Sequence, residues 1–252
     1  SASIEWLTES LNSRNRRKHM KDILIQGRGF QLAGILQQPA LASGLVLFAH
    51  GSGSSHLSPR NQWVAQRLNQ ASIATLLFDL LTPSEALDRS NVFNIDLLAE
   101  RLAFATNWVL QTLGQGLTAA KPAIGYFGAS TGAAAALIAA AHLGDQISAI
   151  VSRGGRPDLA MPYLSAVSAP TLLLVGGLDH GVISLNRTAA RHLRNAKTVI
   201  IPGATHLFEE PGALEQVAEK ATKWFRNHLH SGLDSSLARA PAKGLTQGSA
   251  PR

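Results

Sequence analysis

The sequence contains no cysteine among its 252 residues. Such a chain cannot form disulfides, cannot use a thiol nucleophile and cannot hold zinc through thiolates. It also lacks any run of about 18 apolar residues, the length of a spanning helix, and its first residues lack the apolar segment of a signal peptide. We therefore expect a soluble, cytoplasmic protein that has no membrane partner.

Acidic residues are scarcer than basic ones, since 16 Asp and Glu stand against 23 Lys and Arg, for a net charge of +7. An excess of this size raises nucleic acid as a partner. Most of it lies in the terminal segments, because residues 1–21 carry +3 and residues 231–252 carry +2. No aromatic residues alternate with the basic run 14–18, as base stacking would favour. We interpret the excess as solvated termini and expect no nucleic-acid partner.

The length and the 45% hydrophobic content are sufficient for one large α/β domain with a substantial core, and two small domains are the alternative. We place this domain at residues 21–230. Residues 1–20 are interpreted as an N-terminal extension or linker. Residues 231–252 are rich in Ser, Ala, Gly and Pro without periodicity, which predicts a disordered tail.

The pattern of apolar residues begins with a hairpin and continues as alternating strands and helices. Residues 21–26 and 30–37 are predicted strands joined by Gly27-Arg28-Gly29. The alternation predicts a mostly parallel central sheet with helices on both faces and ligands at the carboxyl ends of the strands. The predicted strands are 45–49, 73–78, 122–127, 147–151, 170–176 and 198–202, and the predicted helices lie near 60–71, 92–113, 131–143, 184–194 and 212–229.

The motif Gly128-Ala129-Ser130-Thr131-Gly132 joins the predicted strand 122–127 to an alanine-rich helix. In this Gly-x-Ser-x-Gly pattern the serine occupies a strained turn, and the glycines remove side chains that would collide there. The helix after the turn directs its N-terminal N–H groups towards the same place, where they would stabilise negative charge on a carbonyl oxygen. Ser130 is therefore a candidate nucleophile, and the alternative is an ordinary strand-to-helix turn with an incidental serine.

A serine nucleophile needs a histidine as base and a carboxylate that orients this base. Asp179 follows the predicted strand 170–176, and His206 follows the predicted strand 198–202. Taken singly, Asp179 could be a helix cap and His206 a surface histidine. The order Ser130, Asp179, His206 favours a catalytic triad, because all three residues would lie at the same edge of a parallel sheet.

A glycine-rich loop, His50-Gly51-Ser52-Gly53, follows the strand 45–49. This is where a serine hydrolase with such an elbow places one amide of its oxyanion hole. The N–H groups of Ser52 and Thr131 are the two candidate donors. His50 is interpreted as a residue that holds the loop by hydrogen bonds.

The same loop allows a competing interpretation. Gly51 and Gly53 after a strand, with Asp79 at the end of the next strand, partly match a dinucleotide-binding fingerprint. His56 stands in place of the third glycine, and the fingerprint leaves the serine, aspartate and histidine without a role. We therefore favour the hydrolase.

Four motifs, His50-Gly51-Ser52-Gly53, Gly128-Ala129-Ser130-Thr131-Gly132, Gly177-Leu178-Asp179 and Thr205-His206, resemble those of α/β-hydrolases of the dienelactone-hydrolase-like group. The resemblance covers roughly residues 21–229. It implies an α/β-hydrolase fold with a Ser-Asp-His triad and no cofactor. We expect no metal, because the sequence shows no cluster of ligands and His228 and His230, two residues apart, would point to different helix faces. Dienelactone hydrolases proper use a cysteine nucleophile, which this chain lacks.

The segment 152–169 is too short for a large helical cap domain, so we expect an open site. Arg153 and Arg156 begin this segment, and Arg60 follows the glycine-rich loop. All three are candidate ligands for an anionic carboxylate or phosphate of a substrate. The alternative for each is an ion pair that braces a loop.

These features predict a serine hydrolase that cleaves small carboxylic esters, lactones or thioesters through an acyl-enzyme on Ser130. The alternative is a hydrolase-like scaffold that binds a small molecule or a protein partner without turnover. The sequence leaves the oligomeric state open.

Overall fold

The computed structural model describes residues 20–113 and 122–229. Residues 1–19 of the predicted extension 1–20 and the whole predicted tail 231–252 lie outside these ranges, whereas Met20 is the first residue of a strand. The strands are β1 (Met20–Gln26), β2 (Gln31–Gln37), β3 (Gly44–Ala49), β4 (Ala74–Phe78), β5 (Ala123–Ala129), β6 (Ile147–Arg153), β7 (Thr171–Gly176) and β8 (Ala196–Ile201). The α-helices are α1 (Pro59–Gln70), α2 (Arg89–Val92), α3 (Ile95–Thr112), α4 (Thr131–Leu143), α5 (His180–Ala190) and α6 (Ala213–His228).

The eight strands form one sheet in the order β1-β2-β4-β3-β5-β6-β7-β8. Strand β2 pairs antiparallel with β1 in the hairpin and antiparallel with β4 in the rest of the sheet. All other neighbouring strands pair in parallel. Strands β3, β5 and β7 are buried throughout, as their nearly continuous apolar sequences require. The predicted α/β-hydrolase architecture, with an N-terminal hairpin and a mostly parallel sheet, is confirmed.

Helices cover the sheet on both faces and form two hydrophobic cores. Helices α3 and α4 bury one face, whereas α1 and α6 pack on the other. Helix α4 runs as TGAAAALIAAAHL and is buried on all sides, which its small residues permit. Among the described residues, no helix is both long and apolar enough to cross a bilayer.

Two predicted helices have different bounds in the structure. The helix expected at 92–113 is divided, because the Asn94 side chain accepts the N–H of Leu97 and starts α3 at Ile95. The helix expected from 184 already begins at His180, where the Ile183 N–H bonds the carbonyl of Asp179 and closes the first turn. This early start places Asp179 directly at the helix N-terminus.

The segment between β6 and β7 contains a 3₁₀ helix at Pro157–Ala166 that packs against α4. It adds no separate layer above the carboxyl ends of the strands. The expected absence of a large cap domain therefore agrees with the described residues of this segment.

We expect Gly132→Ala to lower the free energy of unfolding by about 2–4 kcal/mol, because overpacking against rigid backbone cannot be relieved by a side-chain rotation. A Cβ there would lie 2.2 Å from the carbonyl oxygen of Ala49. Gly181→Ala is the matched control, since a Cβ in this helical position has nothing within 4 Å. The control should be neutral or more stable by up to about 1 kcal/mol, as measured by urea denaturation.

Candidate active site

Ser130 lies between β5 and α4 with φ 50° and ψ −120°. A non-glycine residue with these angles is strained and persists only where the surroundings impose it. A Cβ at Gly128 would lie 2.5 Å from the Cα of Ala133, so both flanking glycines are required by close backbone approach. The turn therefore has the geometry of a nucleophile elbow.

Asp179 and His206 are in contact, with 2.7 Å between Oδ2 of Asp179 and Nδ1 of His206. Asp179 occupies the N-terminal cap position of α5, but its side chain makes no capping hydrogen bond. The carboxylate is therefore used to hold the imidazole instead of the helix. This pairing orients the other ring nitrogen, Nε2, as a proton acceptor.

The loops that carry Asp179 and His206 are joined beyond the ends of β7 and β8. The N–H groups of Gly177 and Leu178 donate to the carbonyls of Ile201 and Ala204, at 2.8 and 2.9 Å. A Cβ at Gly176 would lie 2.4 Å from the Ala204 carbonyl oxygen, so glycine is needed for this approach. The backbone thus fixes the separation of the carboxylate and the histidine.

Ser130 and His206 both adjoin the end of β6. The Ser130 N–H donates to the carbonyl of Arg153 at 3.2 Å, and a Cβ at Gly154 would lie 3.4 Å from Nδ1 of His206. The side chains of Ser130 and His206, both within the described part of the chain, form no direct hydrogen bond with each other. Catalytic hydrogen bonds are often long without substrate and tighten when it binds.

The Ser52 N–H and the start of α4 meet beside the elbow. Ser52 donates its N–H to Oγ1 of Thr131 at 2.9 Å. The Thr131 N–H belongs to the first turn of α4, where backbone donors have no partner within the helix. The two candidate oxyanion donors are therefore neighbours, and the Thr131 hydroxyl currently accepts one of them. The sequence analysis missed this role of the hydroxyl.

His50 holds the oxyanion loop to the neighbouring strand end. Its Nδ1 lies 3.0 Å from the carbonyl oxygen of Gly51, and its Nε2 accepts the Leu80 N–H at 3.2 Å. Both ring nitrogens are therefore used in the neutral tautomer that carries the proton on Nδ1. Burial lowers the pKa of His50 and favours this neutral form.

Asp79 binds His56 and closes the same loop from its other end. One carboxylate oxygen accepts the His56 N–H, and the other lies 2.8 Å from Nδ1 of the same histidine. Asp79 therefore has a structural partner in the position that a ribose would require, which contradicts the dinucleotide interpretation. The sequence indicates Asp79 only as an acidic residue at the end of a strand and gives no signal of its pairing with His56.

The three candidate arginines differ in their environments. Arg60 pairs with Glu209, and Arg156 forms a bidentate pair with Asp158 at 2.8 Å. Arg153 is 8% exposed, and its Nε and Nη1 atoms have no hydrogen-bond partner. Burial, followed by repulsion from Arg60, lowers the pKa of Arg153 to about 10, so it stays charged at neutral pH.

The sheet order, the strained serine elbow and the Asp179–His206 pair define an α/β-hydrolase. Among solved structures, dienelactone hydrolase from Anabaena variabilis is 49% identical, with a TM-score of 0.80, over 84% of this chain and 100% of that chain. The chain belongs to the dienelactone hydrolase family. An α/β serine hydrolase without lid from Xanthomonas campestris shares the fold at 18% identity and a TM-score of 0.68, over 84% of this chain and 95% of that one.

Two curated proteins from strains of Mycobacterium tuberculosis are 55% identical over 199 residues, which is 79% of this chain. Both carry the name "Putative phosphoribosyl transferase". The matched region is 44% of their length, so this chain spans less than half of these relatives. No family model matches the sequence.

The environment of His50 predicts a pH dependence of stability. The pKa of His50 is lower in the folded protein than its ordinary value of 6.5. The stability that neutral His50 contributes to the fold is therefore fully present above pH 6.5 and is lost as the pH falls towards the folded pKa. Below pH 6.5 we expect the free energy of unfolding to fall more steeply with decreasing pH in wild type than in His50→Gln, by up to about 1.4 kcal/mol per pH unit.

Urea denaturation between pH 7.5 and about pH 5 measures this difference. His192→Gln, which removes an exposed histidine, is the matched control and should keep the wild-type slope. Parallel slopes for wild type and His50→Gln would contradict the assignment.

Proposed function

We propose that this protein is a serine hydrolase that cleaves small carboxylic esters, lactones or thioesters through an acyl-enzyme on Ser130. The observation that carries the proposal is the strained Ser130 elbow at the same sheet edge as the paired Asp179 and His206. Strain of this kind is stored at functional sites. An incidental serine in an ordinary turn would not need it.

In the first step His206 Nε2 takes the proton of Ser130 Oγ, and the oxygen attacks the carbonyl carbon of the substrate. Asp179 stabilises the imidazolium that forms. The carbonyl oxygen becomes an oxyanion and accepts the N–H groups of Ser52 and Thr131. It replaces the Thr131 hydroxyl as acceptor of the Ser52 N–H.

In the second step the imidazolium returns its proton to the leaving oxygen or sulfur, and the bond to the acyl carbon breaks. Water then attacks the acyl-enzyme while His206 takes its proton. Collapse of the second tetrahedral intermediate releases the carboxylic acid and restores Ser130. The mechanism as proposed requires neither a cofactor nor a metal.

The name of the mycobacterial relatives suggests phosphoribosyl transfer instead. We prefer hydrolysis because this chain has the strained elbow and the aspartate–histidine pair, which are the parts that acyl transfer needs. More than half of each relative lies outside the match.

We expect a fluorophosphonate probe to form one covalent adduct with wild type, because an activated serine attacks phosphorus as it attacks an ester carbonyl. Intact-mass spectrometry measures the adduct. Ser130→Ala should abolish labelling and lower ester turnover by about 10³-fold or more. Ser165→Ala, which changes an exposed serine of the 3₁₀ helix Pro157–Ala166, is the matched control and should be labelled as wild type. A folded wild type without adduct would favour a non-catalytic binding scaffold.

We propose further that Arg153, with Arg60 nearby, binds an anionic leaving group, while Arg156 serves to brace its loop. A buried guanidinium with unpartnered donors is costly unless an anion reaches it. Arg60 would then exchange Glu209 for the substrate. Both arginines are part of this proposal because the charge of Arg60, after burial, contributes to the lowered pKa of Arg153.

Arg153→Gln should raise KM about tenfold or more for the acetate ester of para-hydroxybenzoate, whose leaving group carries a carboxylate, because a charge-assisted hydrogen bond is lost. The acetate ester of methyl para-hydroxybenzoate has the same ring without the charge, and its KM should change little in the variant. Arg187→Gln, on the exposed face of α5, is the matched control. Equal changes in KM for both esters would reject the anion site.

A further inference from the structure

A cavity of about 300 Å³ lies beside the oxyanion loop, on the side away from His206. One wall is the loop from 50 to 55, and the other is formed by the segment after β4 together with Val92 and Leu98. Its volume is at the lower end of the range for small-molecule sites. The mechanism described above leaves this cavity without a role.

The wall next to Ser130 is thin. A Cβ at Gly51 would lie 3.1 Å from the Cβ of Ser130, and Gly51 also lines the cavity. Ser52, whose N–H is an oxyanion donor, is the next residue of the same wall. If the carbonyl oxygen of a bound ester accepts the Ser52 N–H, one of the two groups on the carbonyl carbon would therefore lie at the cavity.

The order of the strands decides which substituent this is. His206 must protonate the leaving group, and it approaches Ser130 from the β6 side. The cavity lies at the ends of β3 and β4, which are on the opposite side of β5. The leaving group therefore faces His206 and the arginines, and the acyl group faces the cavity.

The chemistry of the walls indicates an uncharged occupant. Leu81, Val92, Leu98 and Ala86 supply apolar surface, and the lining also includes serine and threonine hydroxyls. Asp79 is the carboxylate of the lining, and His56 occupies both of its oxygens. Among the described lining residues there is no arginine or lysine to pair with an anion.

We propose that this cavity is the acyl-binding pocket and that it selects an uncharged, mainly apolar acyl group about as large as a phenyl ring or a short alkyl chain. This inference rests on the proposed esterase function and adds its acyl specificity. The burial of apolar acyl surface supplies the binding energy. The Asp79 carboxylate disfavours an acyl group that ends in a second carboxylate.

The test compares para-nitrophenyl acetate, hexanoate and benzoate on wild type and on Ala86→Trp. Ala86 lines the cavity from an exposed position, so the indole can fill the cavity without entering the core. We expect kcat/KM to fall about tenfold or more for hexanoate and benzoate and less than about twofold for acetate. Leu87→Trp is the matched control, because Leu87 is 87% exposed and does not line the cavity.

Two further comparisons make the test stricter. Val92→Ala should shift the preferred alkyl chain towards greater length, because it enlarges the far wall. Wild type should also cleave para-nitrophenyl hexanoate about tenfold or more faster, in kcat/KM, than the mono-para-nitrophenyl ester of adipic acid, which has the same chain length and a terminal carboxylate.

The outcomes separate the acyl pocket from the esterase function. If Ala86→Trp affects all three esters equally, or if wild type prefers the adipate ester, the acyl pocket is wrong while the esterase function stands. The same holds if wild type cleaves acetate but neither larger ester. If wild type cleaves none of them and forms no fluorophosphonate adduct, both proposals are overturned.

Discussion

The approach of the α4 backbone to the end of β3 is the constraint on which the site depends. At Gly132 the helix backbone lies against the carbonyls of Ala49 and His50, at distances that leave no room for a Cβ. This contact forces the chain into the sharp turn that holds Ser130 at positive φ. It also places the oxyanion loop beside the first turn of α4. One backbone contact thus positions both the candidate nucleophile and the two candidate oxyanion donors.

The strands on either side of β5 give the two halves of the site different surroundings. The imidazole and the arginines lie towards β6, β7 and β8. Backbone hydrogen bonds join the loops that follow β7 and β8. Towards β3 and β4 lies the apolar cavity, whose loop is held by His50 and by the Asp79–His56 pair. An ester bridging β5 would place its leaving group in a charged environment and its acyl group in an apolar one. Substrate choice in this architecture depends on strand-end loops, while the sheet itself stays constant.

Much of the fold could be predicted from the sequence because its signals are local. Alternating apolar segments indicated the parallel sheet, and the Gly-x-Ser-x-Gly motif indicated the elbow at Ser130. The bounds of two helices were wrong, since the cap at Asn94 and the turn that starts α5 have weak signals in the apolar pattern. Asp179 and His206 were identified from their places after consecutive strands, and their contact follows from parallel strand order.

The sequence by itself determined the elbow, the order of the acid and the histidine, and the edge of the sheet where they meet, because each depends on residue type and strand order. Only the tertiary structure decided which charges are paired. Arg156 has its partner, Asp158, two residues away in the sequence. Nothing near Arg60 or Arg153 in the sequence shows that Arg60 pairs with Glu209 and that Arg153 has no carboxylate partner. The cavity beside Ser52 was likewise decided by tertiary structure. The Arg60–Glu209 pair and the cavity walls join residues from distant segments, so their distances exist only once the chain has folded.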